Sequence, residues 1–233
     1  MIFAINTTTE QFSLALMDIQ GIVQAESLML GSEKNYTSLM PGVQSLFKSS
    51  NTELPGLEAI IVAIGPGSFT GLRVGLSLAK GMAQGLDIPI IGVSSLEALA
   101  LQASYMDLPI CPVLTSRRGE VFFAIFQKTS NNAVSRLNED ASIRIEDLHM
   151  LIKRTTLFIG NDFNTQGPPL KKALNDLAVL ASPHHWNLKA SSVGAIGLNR
   201  FHNKDYDDLR DLVPSYMRPP DIRPSSIPSI LKQ

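Results

Sequence analysis

A glycine-rich segment, Gly65–Gly71, carries the residue types best suited to binding an anion. It follows the apolar run Ala59–Ile64 and precedes a helical pattern, which predicts a strand, a tight loop and a helix N-terminus. Free backbone N–H groups and the positive end of a helix dipole meet at such a place, and both favour phosphate. Gly65, Gly67 and Ser68 are therefore candidate phosphate ligands. The segment matches neither GxxxxGK[ST] nor GxGxxG, and a plain turn in which Ser68 caps the helix explains it equally well.

Two polar turns can supply further phosphate contacts. The first turn, Asn6–Glu10, holds three threonines, and the second turn, Thr115–Glu120, holds two arginines and a glycine. The candidate ligands in these turns are Thr7, Thr8, Thr9, Arg117, Arg118 and Gly119. Ordinary solvated turns have the same composition. An ATPase that uses Mg²⁺ needs carboxylates near the metal, whereas both turns begin with a neutral residue, Asn6 and Thr115. The sequence therefore disfavours a fully competent ATPase.

The residues of other common catalytic and metal centres form no recognisable group in the sequence. Cys111 is the single cysteine, which excludes an internal disulfide and a cysteine-cluster metal site. The four histidines include no pair spaced i, i+4, and the nucleophile motif GxSxG does not occur. The sequence thus predicts neither a metal site nor catalytic residues.

The overall composition predicts a folded protein. The chain has 233 residues, of which 44% are apolar and 18% are charged. Twenty basic residues against 21 acidic residues leave a net charge of −1, so contact with nucleic acid would require a local patch or a partner. The first residues do not resemble a signal peptide, and no apolar run is long enough to span a membrane. We expect a cytoplasmic protein without membrane contact.

The order of predicted elements repeats along the chain. Hydrophobic patterns predict the order βββαβαβα, and the same order begins again about 108 residues later, with Ile110 in the place of Ile2. Two α/β lobes of this kind describe the ribonuclease-H-like duplication of actin-type ATPases. We predict a first lobe at residues 1–104, a second lobe at residues 105–218 and an extended or disordered tail, rich in proline and serine, at residues 219–233.

The predicted helix Phe69–Leu86 has an unusually wide apolar surface. Its polar residues form one narrow stripe, which consists of Thr70, Arg73, Ser77, Lys80 and Gln84. This pattern predicts a subunit interface, although a helix enclosed by its own domain would show it too. The predicted interface residues are Leu39, Val43, Leu46, Leu72, Leu76, Ala79, Ala83 and Leu86. Leu78 and Met82 are then expected to face the sheet of the lobe, but the two apolar sides do not distinguish this assignment from its reverse.

Four motifs resemble one protein family. They are IFAINTTTEQFSLAL, AIGPGSFTGLRVGLSLAKGMAQGLDIPIIGVSSLEALA, SRRGEVFFA and PSYMRP, in this order. They resemble the TsaB (YeaZ) family of tRNA threonylcarbamoyladenosine biosynthesis. The resemblance implies an actin-like, two-lobe fold and a non-catalytic subunit that needs no cofactor of its own. It also implies homodimers, and heterodimers with a TsaD-like catalytic subunit, through helices at about Thr37–Ser49 and Phe69–Leu86.

The resemblance further implies a TsaE-like ATPase as partner, with ATP and Mg²⁺ used by the partner subunits and tRNA bound only through the complex. The chain departs from the family pattern at Asn6, Asn35 and Thr115, where Asp, His and Asp are common. Each change removes a charge or a titratable group, which weakens an assignment of nucleotide or metal binding. An actin-fold ATPase or phosphotransferase is the competing interpretation, and a peptidase is a weaker one.

Overall fold

The computed structural model describes residues 1–30, 36–130 and 133–217. Asn35 and the tail at residues 219–233 lie outside the described residues. The described part contains no helix that is long and apolar enough to cross a membrane. Its strands and helices form two α/β lobes.

The first lobe is built on a five-stranded sheet. Its strands are β1 (Ile2–Asn6), β2 (Gln11–Met17), β3 (Val23–Leu30), β4 (Ala59–Gly65) and β5 (Ile90–Ser94). They lie in the order β3-β2-β1-β4-β5, with β1, β2 and β3 antiparallel and β4 and β5 parallel to β1. The helices are α1 (Leu39–Ser49), α2 (Phe69–Leu86) and α3 (Ser95–Gln102), with short 3-10 turns at Tyr36–Ser38 and Leu54–Gly56.

The second lobe repeats this topology. Its strands are β6 (Ile110–Arg117), β7 (Glu120–Phe123), β8 (Phe126–Lys128), β9 (Val134–Arg136), β10 (Ala141–Arg144), β11 (Thr156–Gly160) and β12 (Ala178–Leu180). The main path is β10-β7-β6-β11-β12, and the pair β8–β9 is attached beside β6. The helices are α4 (Phe163–Leu174) and α5 (Ala190–His202), with 3-10 turns at Ile145–Met150, Asn175–Leu177 and Pro183–His185. The duplicated α/β fold expected from the sequence is thus confirmed.

The last helix of each half of the chain, α3 and α5, packs on the sheet of the other half. The alternation of β1 directs Phe3 and Ile5 into one core with α1 and α2, whereas Ile2 and Ala4 belong to the other core. That second face of the first sheet is covered by α5, which follows the second sheet in the chain. In turn, α3 packs against β6 of the second sheet. Each sheet therefore depends on a helix that the other half of the chain supplies.

The sequence predicts a helix at Glu146–Lys153 and a short helix at Lys171–Asp176, and both differ from the observed elements. A short helix was expected at Lys171–Asp176, but α4 already begins at Phe163, where Asp162 caps it by accepting hydrogen bonds from two backbone N–H groups. Its interior contains Pro168 and Pro169, which lack the N–H of a helical hydrogen bond and hide the pattern. The helix expected at Glu146–Lys153 is instead a shorter 3-10 turn.

Residues 205–217, which we call the C-terminal strap, run from the end of α5 along the edge of the first sheet. The backbone N–H of Asp207 donates to the carbonyl of Ile90, and its carboxylate accepts from the N–H of Gly92 at 2.7 Å. Arg200 holds both Asp205 and Asp207 with hydrogen bonds of 2.7–3.2 Å. The strap therefore satisfies backbone groups of the edge strand β5, which a solvent-exposed edge would leave open.

Candidate functional site

The hydroxyls of the first turn are turned into the protein. Thr7, Thr8 and Thr9 have relative exposures of 0%, 2% and 4%. The Thr7 hydroxyl donates to the carbonyl of Gly71 at 2.7 Å, and the Thr8 hydroxyl donates to the Asn6 side chain at 2.8 Å. The Thr9 hydroxyl donates to the backbone carbonyl of Gln11, the first residue of β2. Because each hydroxyl proton is already used, this turn offers no threonine hydroxyl donor to a phosphate in this conformation.

Asn6 joins the two lobes through a buried hydrogen-bond network. Its side chain has no exposed surface, and its amide nitrogen donates to the carbonyl of Leu188 at 3.0 Å. Its amide oxygen accepts from the backbone N–H and the hydroxyl of Thr8. Ser13 donates to the same Leu188 carbonyl at 2.8 Å. Asn6 thus acts as a neutral connector that both donates and accepts, which a carboxylate cannot do.

The glycines of the loop and of α2 make room for the first turn. A Cβ atom added to Gly67, Gly71 or Gly75 would overlap with Thr7 or Thr8. The backbone N–H of Ser68 donates to the carbonyl of Thr8 at 2.7 Å. Glycine at these three positions therefore serves the packing of the protein's own first turn.

The second turn borders an open cleft of about 410 Å³. Arg117, Arg118 and Gly119 line the cleft, and of the first turn only Glu10 reaches it. Gly119 has a φ of +77°, a conformation that favours glycine. The structure therefore divides the nine candidate phosphate ligands. Three of them line the cleft, and none of the other six does.

Three neutral side chains that line this cleft, Thr115, Asn161 and Gln166, form a hydrogen-bond network, and the carboxylates of Glu10, Glu120, Glu146 and Asp162 line the cleft as well. The side-chain oxygen of Asn161 accepts from the backbone N–H of Thr115 at 2.9 Å and from its hydroxyl at 3.2 Å. Gln166 donates to both the Thr115 hydroxyl and the Asn161 oxygen. Among the residues that the structure describes, no three His, Cys, Asp or Glu side chains are grouped as metal ligands would be.

The histidines and the cysteine occupy unrelated places. The rings of His184 and His185 are 4.2 Å apart, and His185 also lies 5.2 Å from the ring of Tyr105. Burial, together with the neighbouring His184 and Lys189, lowers the pKa of His185. Cys111 is buried in the core that both lobes share, and burial raises the pKa of its thiol. A thiol that stays protonated there is a poor nucleophile.

The structure supports the reverse of the expected assignment of the two apolar sides of α2, an alternative that the sequence left open. Leu72, Leu76, Ala79 and Ala83 are buried at 6% exposure or less, and the last three belong to the core of the first lobe. The residues expected in the same seam from α1, which are Leu39, Val43 and Leu46, are buried in that core as well. The side chains of Leu78, Met82 and Leu86 are only half-buried. The interface itself stays a prediction, but its contacts must come from the other side of α2.

Sequence reasoning missed the strap, which reaches the N-terminus of α2. The N–H of Ser215 donates to the carbonyl of Ile64 at 2.7 Å. Tyr216 then stacks on Phe69 with ring centroids 5.1 Å apart, and its hydroxyl accepts from Nε of Arg73 at 2.9 Å. Both residues of this contact belong to features that the sequence shows, since Tyr216 lies in the motif PSYMRP and Arg73 lies in the polar stripe of α2. Neither pattern alone indicates that the two residues meet.

Comparison with known proteins places the chain in a family. A family model described as "TsaD: tRNA N6-adenosine threonylcarbamoyltransferase" matches residues 30–184. A protein of Bacillus subtilis (strain 168) named "tRNA threonylcarbamoyladenosine biosynthesis protein TsaB" is 31% identical over 220 residues, which is 93% of each chain. The chain belongs to the TsaB family. The TsaB protein of Escherichia coli (strain K12) is 34% identical over 150 residues, which is 64% of each chain.

Solved structures support the fold of this TsaB-family chain. YeaZ from Pseudomonas aeruginosa has a TM-score of 0.77 at 20% identity and covers 93% of this chain and 99% of its own. The activator of the 2-hydroxyisocaproyl-CoA dehydratase from Clostridium difficile, solved with bound ADPNP, has a TM-score of 0.51 at 8% identity and covers 89% of this chain and 98% of its own. At these identities the likeness concerns the fold alone. The family and the actin-like fold expected from the sequence are both confirmed.

Proposed function

We propose that this protein acts in the biosynthesis of tRNA threonylcarbamoyladenosine, as a non-catalytic interaction subunit in the cytoplasm. It binds and supports a TsaD-like catalytic subunit and a TsaE-like ATPase, which together modify N6 of the adenosine at position 37 in tRNAs that read codons beginning with A. The observation that carries this proposal is the likeness to the Bacillus subtilis TsaB protein over 93% of both chains.

The first turn supports the accessory role within this proposal. In an actin-like fold this turn is one of two that hold phosphates, and here its three hydroxyl donors are bound within the protein. Asn6, at the start of the turn, donates to a backbone carbonyl of the other lobe, so the site is built for a neutral side chain. In our proposal the subunit needs no cofactor of its own, ATP and Mg²⁺ are used by its partners, and tRNA binds only through the complex.

The test measures the modified nucleoside in the organism from which the chain comes. Depletion of the protein is expected to remove threonylcarbamoyladenosine from digested tRNA, as measured by mass spectrometry, and a plasmid copy is expected to restore it. Purified protein is expected to capture the TsaD-like subunit in a pull-down. Full modification without the protein would contradict the proposal.

An actin-fold ATPase or phosphotransferase is the second candidate, favoured by the open cleft that Arg117 and Arg118 line. Ligands that bind the folded state raise its melting temperature. We expect the TsaD-like subunit, and not Mg-ATP, to raise the melting temperature of this protein. Steady-state ATP turnover by the isolated chain, abolished by Arg118→Ala in the cleft, would favour the enzyme instead.

A further inference from the structure

One edge of the first sheet is open along a whole strand. In the order β3-β2-β1-β4-β5 the edge strands are β3 and β5, and the C-terminal strap pairs with β5 at Ile90. Within the described part of the chain, no segment pairs with the outer side of β3. Alternate residues of an edge strand direct their N–H and C=O groups away from the sheet. The sheet is therefore covered at β5 and can accept a further strand at β3.

The fold holds β3 firmly as a template for a further strand. It pairs with β2 in unbroken register from Ala25 to Leu30, and the irregularity of this pair lies at its other end, beside Val23. Met29 packs so closely on α1 that a Cβ atom added to Gly42 would lie 2.5 Å from its Cε. The six residues in register span about 20 Å, which is an ordinary strand length. Because β3 is already ordered, only an incoming strand loses conformational freedom on binding.

The sequence of β3 lacks the residues that usually protect an edge strand. Natural proteins place lysine or proline at such edges, whereas VQAESLML contains neither. Leu28 is 48% exposed and Val23 is 43% exposed. The only charged side chain of the strand, Glu26, projects to the same face of the sheet as Leu28, because side chains alternate along a strand. The edge thus offers open backbone groups, an apolar side chain and one carboxylate to an incoming strand.

The charge of this edge indicates which kind of strand it accepts. Residues 1–30 contain three carboxylates, Glu10, Asp18 and Glu26, and no lysine or arginine. The Glu26 carboxylate accepts from the N–H of Ser191 at the start of α5, and it forms no ion pair with a described residue. A second copy of the chain would bring the same carboxylates and no cation, so self-pairing through β3 is disfavoured. A strand with a lysine or arginine beside Glu26 is favoured instead.

We infer that β3 binds an extended segment of a partner protein, which adds to the sheet as a sixth strand. The segment places a basic side chain beside Glu26 and an apolar side chain beside Leu28. Backbone hydrogen bonds supply affinity in this mode of binding, and the alternate side chains supply specificity. The surface is a strand edge and differs from the helices on which the predicted subunit interface lies. The inference does not depend on the proposed function.

The experiment titrates the full-length protein with synthetic strands. The probe is a fluorescent nine-residue peptide that alternates valine and threonine and has lysine at its centre, and a matched peptide has glutamate there. Fluorescence anisotropy at low ionic strength measures affinity, and amide chemical shifts measured by NMR locate the site. We expect the lysine peptide to bind at least about tenfold more tightly, with shifts concentrated at Ala25–Leu30. Methylation of alternate backbone nitrogens of the peptide removes N–H donors and is expected to abolish binding.

The variant Glu26→Gln separates the effect of charge from a fold defect. Its side-chain oxygen can still accept from Ser191, so we expect normal circular dichroism. The preference for the lysine peptide is expected to fall to about twofold or less. The matched control Glu53→Gln removes an exposed carboxylate that precedes β4, and it is expected to keep the full preference.

Several results would overturn the inference. They are no binding at about 1 mM lysine peptide, shifts that lie outside β3, equal affinity of the two peptides for the wild type, and undiminished binding after methylation. Hydrogen exchange in the absence of peptide tests the alternative occupant. Protection of the β3 amides that rises with protein concentration would assign the edge to a second copy, and it would overturn the inference as well.

Discussion

Replacement of Asn6 by aspartate tests the account of the first turn most directly. The carboxylate would lie in a fully buried site, with an oxygen in the place of the amide nitrogen that now donates to the Leu188 carbonyl 3.0 Å away. The donated hydrogen bond is lost, and the carboxylate oxygen faces the partially negative carbonyl oxygen of Leu188. A buried charge without a compensating partner costs about 3–5 kcal/mol. Thr8 still donates to the other oxygen and offsets part of this cost, so we expect a loss of about 3 kcal/mol near neutral pH.

The pH dependence of this loss follows from burial. Burial raises the pKa of Asp above its unfolded value of about 3.9, so the folded state binds the proton more tightly than the unfolded state. The free energy of unfolding of the variant, relative to wild type, therefore falls as pH rises from the unfolded pKa through the folded pKa, and is constant above it. At low pH the protonated carboxyl can again donate to the Leu188 carbonyl, so most of the stability returns.

Urea unfolding followed by circular dichroism at about pH 8 and about pH 4.5 measures both effects. Asn6→Ala serves as the variant without a charge, and its loss is expected to be independent of pH. Asn164→Asp places the same substitution at an exposed position, where we expect a change within about 0.5 kcal/mol. If the free energy of unfolding of Asn6→Asp at the higher pH equalled that of the wild type, the reasoning would be refuted, because water or a cation would have to reach this site.

Three other predictions follow from the packing and burial of individual residues. Gly81→Ala is expected to raise the free energy of unfolding by about 0.5–1 kcal/mol, because the added methyl group meets no described atom. Gly75→Ala is expected to lower it by about 1–3 kcal/mol, because the methyl group would clash with Thr7. Equal effects of the two substitutions in urea unfolding would contradict this account of the glycines. Arg200→Met removes the hydrogen bonds that hold the strap and is expected to cost about 1–3 kcal/mol, with faster amide exchange in the strap as the readout. Cys111 is expected to react with a thiol reagent only when the protein unfolds, since burial raises its pKa, and rapid labelling of native protein would disprove this.

Hydrophobic periodicity and capping residues predicted the helices whose own sequence shows both features. The bounds of α2, Phe69–Leu86, agree with the sequence prediction, because Ser68 caps the first turn and the periodicity continues without interruption to Leu86. The same reasoning placed α4 too late, since Pro168 and Pro169 mask the helical pattern. A hydrophobic pattern of helical period thus predicts the bounds of a helix correctly when it is uninterrupted, as in α2. It fails when tertiary packing holds residues of low helix propensity in the helix, as in α4.

The candidate site was predicted less well, because its geometry depends on contacts between distant parts of the chain. The sequence identified Thr7, Thr8 and Thr9 as hydroxyl donors, but the direction of their hydrogen bonds depends on how closely α2 approaches the turn. The two apolar sides of α2 are equivalent in sequence, and only the fold distinguishes them. The contact between Arg73 and Tyr216 joins residues 143 positions apart, and no local pattern encodes it.

The exchange of α3 and α5 has a consequence for protein synthesis. When the strands of the first sheet have left the ribosome, the helix that covers their second face has not yet been translated, because α5 ends only at His202. Ile2, Ala4 and their neighbours on that face therefore remain accessible to water and to other nascent chains until translation is nearly complete. Contacts between segments so distant in sequence form slowly, and exposed apolar strands aggregate meanwhile. A ribosome that stalls within the second lobe would release an N-terminal fragment with one bare sheet face, which makes such fragments natural substrates for chaperones and proteases.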